Sequence, residues 1–288
     1  MKVVPQAFYQ HPKIENILVD GLSCVILKKV EHSDLQNQRY VAAHALTIVL
    51  NGALQIETPE GEISIINKNQ IILLPKGLYM ISDIIPKNES FEAVVFFFDK
   101  EICDEFLAGF DLYALENLPK TLIFNYDQNL RLFTDTLITL YRGKSLYQFT
   151  KPKLLELLHL ISLSEKGDQF ISKLQCLKKR GKKNIKLFME ENFDKPLDIE
   201  DYAYLTGRSI STFRRDFKSK FDISPKKWLI KKRLKKASFL LKEKSDSVTS
   251  IALQVGYENT SHFIKAFHKE FHISPKQFQI NHRKDMLI

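Results

Sequence analysis

Two short stretches of this sequence hold side chains suited to reading a surface of hydrogen-bond donors and acceptors. Ser211, Thr212, Arg214, Arg215 and Lys218 fall at spacings that share one helix face, as do Thr260, Ser261, His262, Lys265 and His268. An arginine fork can pair with the O6 and N7 of guanine and short hydroxyls can meet base edges, each good pair contributing roughly 1–3 kcal/mol of discrimination in a major groove. The opposite faces are apolar at three- and four-residue spacing, through Ile210, Phe213, Phe217 and Phe221 in one stretch and Phe263, Phe267 and Phe271 in the other. Such a stripe packs into a core. Other chemistries lack their residues: there is no acidic pair, Ser-His-Asp arrangement or phosphate-binding glycine loop, so no catalytic residue is assigned and the chain is not read as an enzyme.

The elements that position these faces form an internal repeat. Ala203-x3-Gly207 leads to Phe213, Phe217, Phe221 and Ile223-Ser224-Pro225, and Ala252-x3-Gly256 leads to Phe263, Phe267, Phe271 and Ile273-Ser274-Pro275. The offset is 49 residues for Ala and Gly and 50 for the rest, which one extra turn residue in the second copy explains. Each copy reads as helix, tight turn, helix: 199–206 then 209–221, and 248–255 then 259–271. Gly207 and Gly256 stand where a left-handed residue closes the first helix, and Ser209 and Asn259 where a side chain caps the second. Ala203 and Ala252 are small where two helices cross closely. Between the copies, residues 225–242 predict one helix with proline in its first turn, about 27 Å long. That length sets two heads near one turn of duplex DNA apart, roughly 34 Å.

Charge divides along the same line. Residues 1–172 hold 16 Lys/Arg against 21 Asp/Glu, whereas residues 173–288 hold 27 against 13. A basic C-terminal part beside a mildly acidic N-terminal one fits a polyanion-binding module joined to a sensing or pairing module. The cluster Lys178-Lys179-Arg180-Gly181-Lys182-Lys183 is the sharpest composition shift. The domains are therefore set at 1–172 and 184–288, with a basic linker over 173–183.

From Cys24 to Asp99 the sequence runs in short β-branched and Phe-rich segments, at 46–50, 54–58, 63–66, 71–74, 79–81 and 93–98. Asn51-Gly52, Glu60-Gly61 and Pro75-Lys76-Gly77 read as hairpin turns, giving an antiparallel barrel or sandwich. Helical periodicity follows at 100–108, 129–142 and 152–164, the last apolar on more than one face through Leu154, Leu155, Leu157, Leu158 and Ile161. That helix serves as core or as a subunit interface. Phe8, Tyr9, Tyr40, Phe96 and Phe98 are core by default and otherwise pocket lining. Cys24, Cys103 and Cys176 lack any C-x-x-C pair, so neither a disulfide framework nor a zinc site is signalled, which fits a reducing cytoplasm. Residues 1–10 have no signal-peptide pattern and no run approaches the roughly 18 apolar residues of a membrane span, so no membrane association is expected.

Residues 184–283 resemble the DNA-binding domain of AraC/XylS-family transcription regulators. The resemblance is carried by G-R-S-x-S-x-F-R-R-x-F-K from Gly207, by I-A-L-Q-V-G-Y-E-N-x-S-H-F-I-K-A-F-H-K-E-F from Ile251 and by the paired I-S-P. It implies base-reading sites at Ser211, Arg214 and Arg215 in the first head and at Thr260, Ser261 and Lys265 in the second. Phosphate contacts are then expected at Lys218, Lys227, Arg233 and Lys269. His268 stands where the family commonly has a basic residue.

The N-terminal half is similar, by strand pattern alone, to the cupin-type barrel of many family members. The expected fold class is thus α+β: a cupin-like antiparallel β-barrel with appended helices, then an all-α double helix-turn-helix domain. Metal-binding cupins need an H-x-H, and His32 and His44 stand alone, so neither metal nor cofactor is expected.

These features read as a bacterial-type, sequence-specific regulator, taken as an activator. Its partners are double-stranded DNA, RNA polymerase, a second copy of the chain, and a small-molecule effector or regulatory protein at the N-terminal domain. The competing reading is a polyanion-anchored protein whose barrel carries the main function.

Overall fold

Residues 45–50 and 91–98 are apolar at nearly every position because the sheet they occupy is covered on both faces. The computed structural model describes residues 1–31, 37–111, 115, 118–119, 121–178, 181–243 and 246–285, without the side chains of 178 and 282–285. The chain forms two units, residues 1–180 and 181–288. His32 lies outside the described residues.

The strands of the first unit are β1 (Lys2–Val4), β2 (Ile14–Asp20), β3 (Ser23–Val30), β4 (Asn37–Val41), β5 (His44–Asn51), β6 (Ala53–Glu57), β7 (Ile63–Asn67), β8 (Gln70–Leu74), β9 (Gly77–Ile84), β10 (Phe91–Phe98) and β11 (Leu122–Asn125). They make a five-stranded sheet, β1-β4-β9-β6-β7, and a six-stranded sheet, β11-β8-β5-β10-β3-β2. Every pairing is antiparallel except β1 with β4. The two sheets share no strand, so the sheet-rich unit closes as a sandwich rather than a barrel.

Two of the three expected hairpins are corrected by this topology. Glu60-Gly61 does join paired strands, β6 and β7. Asn51-Gly52 instead carries the chain from β5 in one sheet to β6 in the other, and residues 75–77 carry it from β8 to β9 across the same gap. A glycine at positive φ serves a sandwich corner as well as a hairpin. Gly52, at φ 80°, is also pressed against the β9 backbone, where a Cβ would come within 2.6 Å of the Ile84 carbonyl oxygen.

Alternation along β10 shows the layering. Phe91, Ala93, Val95 and Phe97 pack between the sheets, with Val41, Leu54 and Ile66 of the smaller one. Val94, Phe96 and Phe98 face a helical layer. That layer is α1 (Lys100–Leu107), α2 (Gln128–Tyr141), α3 (Thr150–Ser162) and α4 (Gly167–Lys178). Asp99 and Asp127 cap α1 and α2 by accepting from the N–H groups of Ile102 and Leu130.

Helix α3 is apolar on several sides because it packs on α1, α2, α4 and the β2–β3 strands. Helix α4, which lacks a signal in the sequence beyond Phe170, Ile171 and Leu174, buries those residues in the same core. Residues 173–178 are thus its last turns, and the linker expected over 173–183 begins too early.

The second unit is all helical: α5 (Ile185–Asn192), α6 (Ile199–Leu205), α7 (Ile210–Phe221), α8 (Pro225–Glu243), α9 (Val248–Gln254), α10 (Thr260–Phe271) and α11 (Pro275–Asp285). Helices α6 to α10 start and stop within a residue of the sequence expectation. Helices α5 and α11, outside the repeat as first read, complete its two cores.

Candidate nucleic-acid interface

The repeat recurs in three dimensions, at an offset of 50 residues from the second helix of each copy onward. Phe213 and Phe217 of α7 are fully buried, as are Phe263 and Phe267 of α10. Ser209 accepts from the Thr212 N–H, and Asn259 from the N–H groups of Ser261 and His262. Both helices end on a left-handed residue, Asp222 at φ 56° and His272 at φ 61°, whose N–H groups bond the Lys218 and His268 carbonyls.

The two I-S-P runs are helix starts. The hydroxyls of Ser224 and Ser274 accept from the N–H groups of Lys227 and Gln277, and Pro225 and Pro275 take the first helical position. The similarity extends one helix beyond the motif. Trp228 meets Phe217 and Phe221 at ring distances of 5.7 and 5.2 Å, and Phe278 meets Phe267 and Phe271 at 5.4 and 5.6 Å. Each copy therefore seals its helix-turn-helix with an aromatic from the following helix.

Against those buried faces stand the exposed ones. Ser211, Arg214, Arg215 and Lys218 are exposed on α7, and Ser261, Lys265, His268 and Lys269 on α10. Thr260, expected beside them, is half-buried at the first position of its helix. The hydroxyls of Ser209, Ser211 and Thr212 form a chain at the α7 N-terminus, with spacings of 3.1 and 2.9 Å. Arg215 lies 3.7 Å from Asp216 and keeps three quarters of its side chain exposed, so that contact holds it weakly.

Gly207 and Gly256 close α6 and α9 at φ 69° and 87°. Gly256 has a second constraint: a Cβ there would lie 2.7 and 2.9 Å from the carbonyl oxygens of Asp194 and Lys195. The turn of the second copy thus rests on backbone of the first.

The basic residues separate into structural and free ones. Arg208, 7% exposed, spends its donors on Asp216 at 3.0 Å and on the carbonyls of Lys183 and Thr206 at 2.9 and 2.6 Å. Its guanidinium holds the Asp216 carboxyl below the usual range. On α8, Lys232 pairs with Glu190 at 2.6 Å and Lys236 with Asp194. Lys226, Lys227, Lys231 and Lys235 of the same helix are exposed.

Arg233 corrects an expectation. Rather than facing a phosphate, it donates to the carbonyls of Phe193, Lys195 and Leu197 at 2.7, 2.6 and 3.3 Å, tying α8 to the end of α5. The sequence held a signal for this, since Arg233 lies four residues after Leu229 and four before Ala237, on the buried stripe. Arg233→Ala should destabilise the free protein by about 1.5–3 kcal/mol, the worth of a hydrogen bond from a charged donor, and so lower its unfolding midpoint. Lys227→Ala should leave the midpoint unchanged and flatten the salt dependence of DNA binding by about one unit. Thermal unfolding without DNA, beside titrations at several salt concentrations, separates the two.

In the first unit, a small cavity lies between the sheets. Phe8, Leu54, Phe91 and Phe97 line it, with the Lys28–Asp83 ion pair on its wall. Of the five aromatics named from sequence only Phe8 reaches it. Phe96 and Phe98 point to the helices, Tyr40 is fully buried, and Tyr9 donates to the Gly21 carbonyl beside Cys24. Burial pushes the Cys24 thiol up to about 12, so it is no nucleophile at neutral pH. His44 accepts from the Lys76 N–H at 3.1 Å, a structural role. Among the described residues no helix is long and apolar enough to cross a membrane.

Comparison with known proteins matches one stretch in each unit. A family of ExsA N-terminal regulatory domains matches residues 44–173, and a helix-turn-helix domain family matches residues 202–281. The chain is similar to the thermoregulatory protein LcrF of Yersinia pestis, 30% identical over 131 residues, which are 46% of this chain and 48% of LcrF. It is similar to the transcriptional regulator ExsA of Pseudomonas aeruginosa, 29% identical over 125 residues, 43% of this chain and 45% of ExsA. The chain spans about half the length of the curated relatives it matches. Among solved structures, ToxT of Vibrio cholerae aligns over 91% of this chain and 98% of its own at 13% identity, with a TM-score of 0.45.

Proposed function

We propose that the chain is a transcription regulator of the AraC/XylS type, a sequence-specific activator reading two adjacent major-groove segments per chain. The observation that carries this is the pairing of two complete helix-turn-helix units at a 50-residue offset, each with a buried aromatic stripe and an exposed polar face. An electrostatic anchor needs only the charge; it has no use for matched caps, matched C-terminal turns and matched sealing aromatics.

In this reading Ser211, Arg214 and Arg215 meet bases in the first head, and Ser261 and Lys265 in the second, with Thr260 at its edge. Lys218, Lys227 and Lys269 meet phosphates. Helix α8, 19 residues and about 28 Å long, spaces the heads at close to one helical turn.

Control is proposed to enter through the first unit, where the inter-sheet cavity suits a small, largely apolar effector. A regulatory protein docking on that unit is the other source of control. A second copy is a further proposed partner, because Leu132, Leu140 and Leu163 of the helical layer are 69%, 51% and 84% exposed. A monomeric mass at micromolar concentration overturns that pairing.

The activating role, and with it RNA polymerase as a partner, is tested by transcription in vitro. Purified RNA polymerase and a promoter carrying the preferred site should yield more transcript as the protein is added. Less transcript would make the protein a repressor.

A further inference from the structure

The two exposed faces are not chemically alike: Thr212 and Lys218 give way to His262 and His268, and at one position a cation gives way to an apolar residue. At the 50-residue offset Ser211 corresponds to Ser261 and Arg215 to Lys265, but Arg214 corresponds to Ile264. Ile264 is 39% exposed and sits on α10 three residues after Ser261 and four before His268, at the margin of the face that buries Phe263 and Phe267. It is the fifth residue of that helix, within the N-terminal part of a recognition helix that meets base edges. A β-branched side chain left 39% exposed is a poorer helix former than the arginine of the first copy, and its exposed part gains nothing in the free protein.

The apolar feature that a major groove presents is the 5-methyl group of thymine. Phosphates are the same under both heads, so replacing a cation by isoleucine at this one place alters what is asked of the bases. We propose that Ile264 is a specificity-determining residue of the second head and selects thymine by packing on its 5-methyl group. The heads then read unlike half-sites, one through guanine at Arg214 and one through thymine at Ile264. This rests on the reading of both helices as base readers.

The test uses the full chain and the duplex it selects from a random library. Each thymine in the second patch is replaced in turn by deoxyuridine, which removes the methyl and keeps the pairing. At one thymine the wild type should lose affinity about three- to five-fold, the worth of one buried methyl, while Ile264→Ala should show no loss there. Ile264→Arg should move the preference at that position toward guanine. If every deoxyuridine duplex affects wild type and Ile264→Ala alike, the thymine reading is overturned while a recovered two-patch motif leaves the regulator reading standing. If the full chain selects no motif at all, the regulator reading fails and takes this inference with it. Ile264 is exposed, so Trp228 fluorescence should confirm that its variants fold as wild type.

Discussion

Replacing Arg214 and Arg215 together by alanine should abolish discrimination by the first head while leaving the protein folded. Each guanidinium can make one bidentate pair with a guanine, at roughly 1–3 kcal/mol per pair, so the double variant should lose on the order of 30-fold or more in affinity for its preferred duplex. Both side chains are exposed on α7, with Arg215 only weakly engaged by Asp216, so the fold forfeits little. On scrambled duplex the same variant should lose only what two fewer cations cost, a smaller loss that fades as salt rises. Titration of both duplexes at two salt concentrations measures this. Equal losses on preferred and scrambled DNA would remove both arginines from the base-reading set.

The second large effect is on stability. Gly256→Ala should destabilise the second unit by about 3 kcal/mol, since a left-handed alanine costs roughly 1–2 kcal/mol and overpacking adds at least 1 more. The overpacking arises from the carbonyl oxygens of Asp194 and Lys195, 2.7 and 2.9 Å from the new Cβ. Gly61→Ala is the contrast: its φ of 81° is similar, but nothing lies within 4 Å of its Cβ, so only the conformational cost applies. The single tryptophan, Trp228, is buried against Phe217 and Phe221 and reports unfolding of the second unit by fluorescence. Circular dichroism follows the Gly61 variant. A shift below about 1 kcal/mol for Gly256→Ala would mean that the two copies do not touch at this turn.

That contact explains why the copies need each other. The segment 193–197 after α5 lies against the Gly256 turn on one side and accepts from Arg233 of α8 on another. The Arg233 guanidinium also lies 5.9 Å from the Tyr257 ring. Two helix-turn-helix units joined only by a helix would change spacing as the helix flexed. A shared joint holds the two units at one spacing, which is what reading two patches of DNA as one site would require.

The second unit was legible in the sequence where its information is local. A cap, a left-handed turn residue and an apolar stripe are each decided within four residues, which is why Ser209, Asn259, Gly207 and Gly256 stand where the pattern put them. What it missed is decided across the chain. Arg233 reads as one more cation on a cationic helix until its phase is counted against Leu229 and Ala237. Gly256 reads as a helix stop, although the carbonyls it meets are some sixty residues earlier.

In the first unit the strands were legible but their partners were not, because alternation names a face and not a neighbour. Asn51-Gly52 suits a hairpin and a sandwich corner equally, and only the pairing of β5 with β8 and β10 decides between them. Ile264 carries no polar signal of its own, unlike Ser261 and Lys265 beside it. The repeat itself held the signal, once the register was carried through every position of α7 and α10.

The most direct test of two reading heads on one chain is selection of preferred sequences from a random duplex library by the full-length protein. The winner and a scrambled duplex are then titrated at two salt concentrations. The account predicts a motif of two conserved patches with centres about 10 base pairs apart, bound more tightly than scrambled DNA at both salts. Tight, salt-sensitive binding with no enriched motif would contradict it, making the basic unit an anchor and moving the main function to the sandwich.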